Sequence, residues 1–152
     1  MEYLKLTGYD VCLLHDVFFK ATDFQPHIYT EDEIKRYFNA VDTYSSDRNK
    51  LDVIMLPVFF RLLYCCGTRI NETLGIRKKD VDLDAGIIKL LETKNDCERY
   101  IVLNPEMKEL LIQFADKCFY LYKDDDYIFP SIAKTRRNGK RIYELHRLLL
   151  QH

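Results

Sequence analysis

The 152-residue chain predicts an α+β fold that is mostly α, with helices around a small three-stranded antiparallel sheet. Two observations predict it. Apolar residues recur at helical spacing from about residue 30 to about residue 76 and again after residue 104. Between these stretches the period shortens, and β-rich runs alternate with turn residues. A composition of 47% hydrophobic and 31% charged residues, with five Gly and four Pro, fits one globular unit long enough to bury a core.

The elements follow in order. Residues 1–27 show no sustained period; "YDVCLLHDVFFKATDF" reads as a short helix and a connector ending at Pro26, so residues 1–25 are expected to be an N-terminal arm or the tail of a preceding domain. In "YTEDEIKRYFNAV", Thr30 and Glu33 form a T-x-x-E capping box, and Ile34, Tyr37, Phe38 and Val41 then share one helical face. The run from Leu51 to Cys66 is almost wholly apolar and stops at Gly67, so a buried helix is expected; Pro57 either kinks it or marks its true first turn. "RINETLGI" predicts one or two further turns with Ile70 and Leu74 on one face.

Strands are expected at Ile87–Leu91 and Tyr100–Leu103, with Val81–Leu83 as a third. Asp84-Ala85-Gly86 precedes the first of this pair, and Lys94-Asn95-Asp96 lies between the two. Asn104 caps a helix with Pro105 at its first position and Met107, Leu110, Leu111 and Phe114 facing inward. "KDDDYIFPS" is a loop with an apolar anchor. After Asn138-Gly139 the residues Ile142, Leu145, Leu148 and Leu149 begin a last helix.

Charge and cysteine content narrow the function classes. No apolar run reaches the length of a membrane span, and Asp10, His15 and Asp16 interrupt any signal-peptide pattern. Five cysteines, two of them adjacent at Cys65 and Cys66, do not form a disulfide framework, and no C-x-x-C exists. The lone C-x-x-H of Cys12 and His15 is no basis for a zinc site, so no metal is expected. Reduced cysteines in a cytoplasmic protein fit this pattern.

A net charge of −1 is no general invitation to nucleic acid. Its distribution is uneven, however. Residues 1–60 hold six Lys/Arg against ten Asp/Glu, whereas 134–147 hold Lys134, Arg136, Arg137, Lys140, Arg141 and Arg147 against Glu144 alone. That segment reads equally as a solvated face or as a phosphate-contacting surface.

Arg69 stands at the end of the most apolar helix, beside Gly67. Glu72, three residues on, lies on the same helical face and can orient the guanidinium, leaving donors for a phosphate or carboxylate. Lys94 sits in the turn between two strands and Arg99 on the returning strand. Taken singly, each has a plainer reading: a surface ion pair, a solubilising lysine, an arginine covering a sheet.

Their order and spacing change the reading. "GTRINETLGIRKKDVDL" followed by "GIIKLLETKNDCERYIVLN" resembles the catalytic domain of the tyrosine recombinases, the phage-integrase family. That family's first signature runs roughly G-x-R-[IV]-x-E-x-x-x-L-x-x-x-D-[IV]-D. Gly67, Arg69, Ile70, Glu72, Ile76 (for the usual Leu), Asp80, Val81 and Asp82 fill it in register. Lys94, Arg99 and "IVLNPE" fill the hairpin that follows, and "PHIYTEDEIKRYFNAV" looks like the usual entry into the domain, so residues 26–152 are expected to be part of a catalytic domain.

The resemblance implies that Arg69 is catalytic and binds the non-bridging oxygens of a scissile DNA phosphate, with Glu72 orienting it. It implies that Lys94 is the general acid that protonates the departing 5′ oxygen. Arg99, Lys134, Arg136, Arg137, Lys140 and Arg141 are then expected to contact DNA. No cofactor is implied, because a covalent 3′-phosphotyrosine conserves the bond energy. Double-stranded DNA and other recombinase protomers are the implied partners.

The family also uses an H-x-x-R box, a later His or Trp and a tyrosine nucleophile. None of the four histidines begins an H-x-x-R, and the last tyrosine is Tyr143. The expectation is therefore a partial catalytic domain, from a fragment or a truncated gene, that neither cleaves nor rejoins DNA by itself. A non-catalytic DNA-binding or protein-interaction module is the alternative, and an accidental match in an interaction protein is a third reading. Loss of the end of the last helix is expected to leave Leu145, Leu148, Leu149 and the core behind Leu62–Leu63 partly uncovered, favouring oligomers or domain swapping.

Overall fold

The computed structural model describes residues 25–91 and 98–151. The proposed arm at 1–25 therefore lies almost wholly outside the described residues, and so does Lys94.

Helix α1 (Glu31–Asp42) starts where the capping box predicts. The Thr30 hydroxyl accepts from the Glu33 backbone N–H at 3.3 Å, and the Thr30 N–H donates to the Glu33 carboxylate at 2.7 Å. This backbone donor is the main reason the Glu33 carboxyl lies below its ordinary pKa. Helix α2 (Lys50–Cys66) carries the core: Met55, Leu56, Phe59 and Leu62 are fully buried. Pro57 lies inside α2 and is not its first turn. The turn before it is retained because Met55 and Leu56 are buried there, which offsets the hydrogen bond that a proline removes. Arg61 on α2 grips the Asp42 carboxylate with two bonds of 2.7 Å, fixing the end of α1 against α2.

Gly67 ends α2 in the left-handed region, at φ +60, which costs glycine little. The short helix α3 (Ile70–Leu74) follows, and a 3₁₀ turn at Lys78–Asp80 leads into the sheet. Strands β1 (Val81–Asp82), β2 (Ile87–Leu90) and β3 (Arg99–Val102) pair antiparallel in the order β1-β2-β3. Ile88 faces Val81 on one side and Ile101 on the other, and the alternation in β2 sends Ile88 and Leu90 into the core.

Helix α4 (Pro105–Cys118) is capped by Asn104, whose side-chain oxygen accepts from Met107 N–H at 2.7 Å. Met107, Leu111, Phe114, Ala115 and Cys118 are buried. The loop that follows is pinned by Ile128 and Phe129. Ile128 donates its N–H to the Ile76 carbonyl, and the Phe129 ring packs 5.3 Å from Phe59 and 5.6 Å from Phe114.

Helix α5 (Gly139–Leu149) packs on α1 and α3. Its packing corrects one expectation. Leu145 and Leu149 are each 2% exposed and Leu62 is fully buried, because the amphipathic α5 turns that face into the core. Leu148 and Leu150 do remain exposed. An apolar groove of about 360 Å³ runs between α1, α2 and α5, with Tyr37, Phe60, Ile142 and His146 among its walls. The Tyr37 hydroxyl meets His146 Nδ1 at 2.9 Å there. Among the described residues, no helix is long and apolar enough to cross a membrane.

Candidate active site

The backbone turn at Gly67 sets up the site. It swings the chain out of α2 so that Thr68 is buried and Arg69 is not. The Thr68 and Thr73 hydroxyls meet at 2.7 Å, tying the turn to α3. Arg69 is the N-cap residue of α3, with extended backbone (φ −81, ψ 150), so its side chain leaves the helix end toward solvent. Its guanidinium side chain is 62% exposed, while that of Glu72 is 2% exposed.

Glu72 is the centre of this arrangement. One carboxylate oxygen, Oε1, accepts from Arg69 Nη1 at 2.8 Å. The other, Oε2, accepts from the Arg69 backbone N–H at 2.9 Å and from Arg99 Nη2 at 2.6 Å. Burial opposes ionisation of Glu72, but the Arg69 backbone donor and the two guanidiniums outweigh it and hold the carboxyl below its ordinary pKa. One negative charge thus fixes two positive ones, leaving a local balance of +1 on two half-exposed forks. Such a pair of forks can hold an oxyanion with several charge-assisted bonds. Arg99 comes from β3, so the carboxylate also joins the sheet to α3.

A second basic group, Arg136, also reaches α3. Arg136 Nη2 donates to the Asn71 carbonyl at 2.8 Å. A Cβ at Gly75 would stand 3.5 Å from that same nitrogen, and one at Gly139 would stand 3.5 Å from Asn71 Oδ1. The start of α5 and the turn before it therefore lie against the helix that carries Arg69. Lys134, Lys140 and Arg141 are exposed, and Arg141 pairs with Glu144 at 3.0 Å. Lys134 occupies the left-handed region at φ +59.

Arg137 departs from the expected surface role. Its side chain is 5% exposed and its Nη1 bonds Asp52 Oδ1 at 2.5 Å, while Nε and Nη2 donate to the Pro130 carbonyl at 3.3 and 3.1 Å. A guanidinium enclosed in this way is not on the accessible surface. Asp52, its partner, was not a candidate in the sequence, although one carboxylate in an apolar helix was a usable signal. Lys94 lies outside the described residues. Among the described residues, no group of three or more His, Cys, Asp or Glu is arranged to hold a metal ion, and Cys65, Cys66 and Cys118 are free thiols.

Comparison with known proteins bears on the family and the fold. The phage integrase family model matches residues 28–151. A probable integrase/recombinase protein of Methanocaldococcus jannaschii is 35% identical over 91 residues, covering 59% of this chain and 27% of that protein. Tyrosine recombinase XerA of Saccharolobus solfataricus is 34% identical over 102 residues, covering 62% of this chain and 33% of that protein. Among solved structures, the crystal structure of XerA recombinase superposes with a TM-score of 0.69 at 25% identity, over 86% of this chain and 43% of that one. The chain thus spans about a third of the length of these curated relatives.

Proposed function

Because the chain belongs to the phage integrase family of tyrosine recombinases, we propose that it carries part of the catalytic domain of a site-specific DNA recombinase, with Arg69 holding the scissile phosphate. One observation supports this reading above the others: Arg69 is exposed, yet locked by a buried carboxylate that also fixes Arg99. An arginine that served only solubility would not need a buried partner to orient it.

In the proposed reaction a tyrosine oxygen attacks phosphorus, the 5′ oxygen leaves, and a 3′-phosphotyrosine bond replaces the phosphodiester bond broken. Negative charge grows on the non-bridging oxygens, where the Arg69 fork donates, and Arg99 extends the same positive field. Lys94 supplies the proton that the leaving 5′ oxygen takes up. Lys134, Arg136, Lys140 and Arg141 meet flanking phosphates of double-stranded DNA. Other recombinase protomers are proposed as further partners, and no cofactor takes part.

The sequence contains no H-x-x-R, so a polypeptide of these 152 residues is expected to bind DNA without forming a covalent adduct. Fluorescence anisotropy of a labelled duplex, titrated across salt, tests the binding. The expected result is a dissociation constant in the ~10⁻⁶ to 10⁻⁴ M range that weakens steeply with salt, and weakens again on Arg69→Ala. A phosphotyrosine adduct on a nicked substrate would sink the claim of inactivity. The alternative, a non-catalytic binding module, predicts that Arg136→Ala weakens binding while Arg69→Ala leaves it unchanged.

A further inference from the structure

The buried pair of Asp52 and Arg137 has no role in the reaction proposed above, and stability does not account for it well. Taking two charges out of water is costly, and well-packed apolar residues of similar volume often do as well or better. Here the pair is not even fully satisfied: Asp52 Oδ2 is buried with no hydrogen-bond partner among the described residues. What a guanidinium fork supplies, and an apolar contact does not, is direction.

The direction it sets is that of the basic turn. Arg137 holds Asp52, in the first turn of α2, with one nitrogen and the Pro130 carbonyl with two others. It thereby closes the segment 130–137 on the body of the protein. Inside that segment Ser131 N–H donates to the Thr135 carbonyl at 2.8 Å, Lys134 N–H donates to the Ser131 carbonyl at 2.9 Å, and the Ser131 and Thr135 hydroxyls meet at 2.8 Å. Pro130 and Arg136 pair across the turn as an antiparallel bridge. The adjacent arginines then serve opposite sides. Arg137 reaches into the core, and Arg136 reaches over α3 to the Asn71 carbonyl, two residues from Arg69. Asn138 follows at once as the cap of α5, which places Lys140 and Arg141 in that helix's first turn.

We propose that Asp52 and Arg137 form a positioning pair that fixes the basic turn against the Arg69 helix, so that Lys134, Arg136, Lys140 and Arg141 meet the backbone phosphates of duplex DNA as one pre-formed surface. Arg137 is then a positioning residue that never touches DNA. The inference rests on the DNA reading above.

The test uses the whole chain and a labelled duplex of arbitrary sequence. The double variant Asp52→Leu/Arg137→Met removes both buried charges together. It is expected to unfold cooperatively near the wild-type temperature and to bind the duplex about tenfold more weakly. Its salt slope is expected to be shallower by about 2, the loss of roughly two phosphate contacts. A folded double variant with wild-type affinity and slope overturns the proposal.

Arg137→Lys provides a second arm that does not depend on the double variant folding, since it keeps the charge and loses the fork. Amide hydrogen exchange should rise in residues 131–138 and stay unchanged in α2 and α4, with a several-fold weaker duplex affinity. A uniform rise along the chain assigns the pair to global stability and overturns the proposal. Absence of salt-dependent binding by the wild type is a different outcome. It removes the DNA reading itself, while the exchange pattern still decides whether the pair holds the turn.

Discussion

Two carboxylates in this molecule are gripped by arginine, and they are built in opposite ways. Glu72 is buried under two guanidiniums that are themselves 62% and 42% exposed, and both of its oxygens are bonded. Asp52 is buried under one guanidinium that is 5% exposed, and one of its oxygens has no partner among the described residues. The first arrangement spends a buried charge to present positive charge outward. The second encloses its positive charge and presents nothing. Exposure of the arginine, and not the presence of an ion pair, separates a charge offered to solvent from an internal fastening.

The contrast can be broken most forcefully at Asp52. Asp52→Ala leaves the Arg137 charge buried and uncompensated, and is expected to cost about 3–5 kcal/mol. Urea denaturation monitored by circular dichroism would show it as a lower midpoint at unchanged slope. At the other carboxylate the loss should be smaller, because the released guanidiniums reach water. Glu72→Gln is expected to cost about 1–3 kcal/mol.

The same variant carries a pH signature. The folded-state pKa of Glu72 is lowered, so its contribution is fully present above the unfolded value of 4.5 and is lost as pH falls through the folded value. Melting temperatures of wild type and Glu72→Gln should therefore converge as pH drops below about 4.5. Curves that stay parallel from pH 6 to pH 3 would remove the charge argument.

Smaller effects sharpen the comparison. Lys134 holds a left-handed conformation at the tip of the basic turn. Lys134→Gly should relieve that strain and gain roughly 0.5 kcal/mol after glycine's own entropic cost. It should also weaken duplex binding slightly, because one cation is lost. Smallest of all in stability is Arg69→Ala, expected to stay within about 0.5 kcal/mol of wild type. Glu72 retains Arg99 in that variant, and only anion or DNA binding should change. A drop in stability comparable to that of Glu72→Gln would show that Arg69 serves the fold and not a ligand.

Local features of the fold were legible in the sequence because their signals are local. The Thr30–Glu33 box, the Asn104-Pro105 start and the turn at Gly86 each depend on residues within four positions, and the three antiparallel strands followed from their patterning. Pairings between distant residues were not legible. Arg137 and Asp52 are 85 residues apart, and Arg136 and Asn71 are 65 apart. A basic run is the same string of letters whether its side chains face solvent or core, and only packing placed Arg137 inward while leaving its neighbour over α3. Arg69 with Glu72 was readable from an i, i+3 spacing, whereas the second arginine on the same carboxylate, 27 residues away, was not assigned that partner. Pro57 was ambiguous for a related reason, since whether a helix continues before a proline is decided by the burial of the residues ahead of it.

Sharing of Glu72 by α3 and β3 has an energetic consequence of its own. The Arg69 and Arg99 guanidiniums bond opposite oxygens of a single anion, so neither truncation can be assessed alone. Once one guanidinium is gone, the other becomes the sole counter-charge, and its removal leaves the buried carboxylate with only the Arg69 backbone N–H as donor. A double-mutant cycle on the two positions should therefore show a coupling energy of about 0.5–3 kcal/mol, with the double loss exceeding the sum of the single ones. The sheet and the helix that carries Arg69 would then behave as a single thermodynamic unit, linked through one side chain.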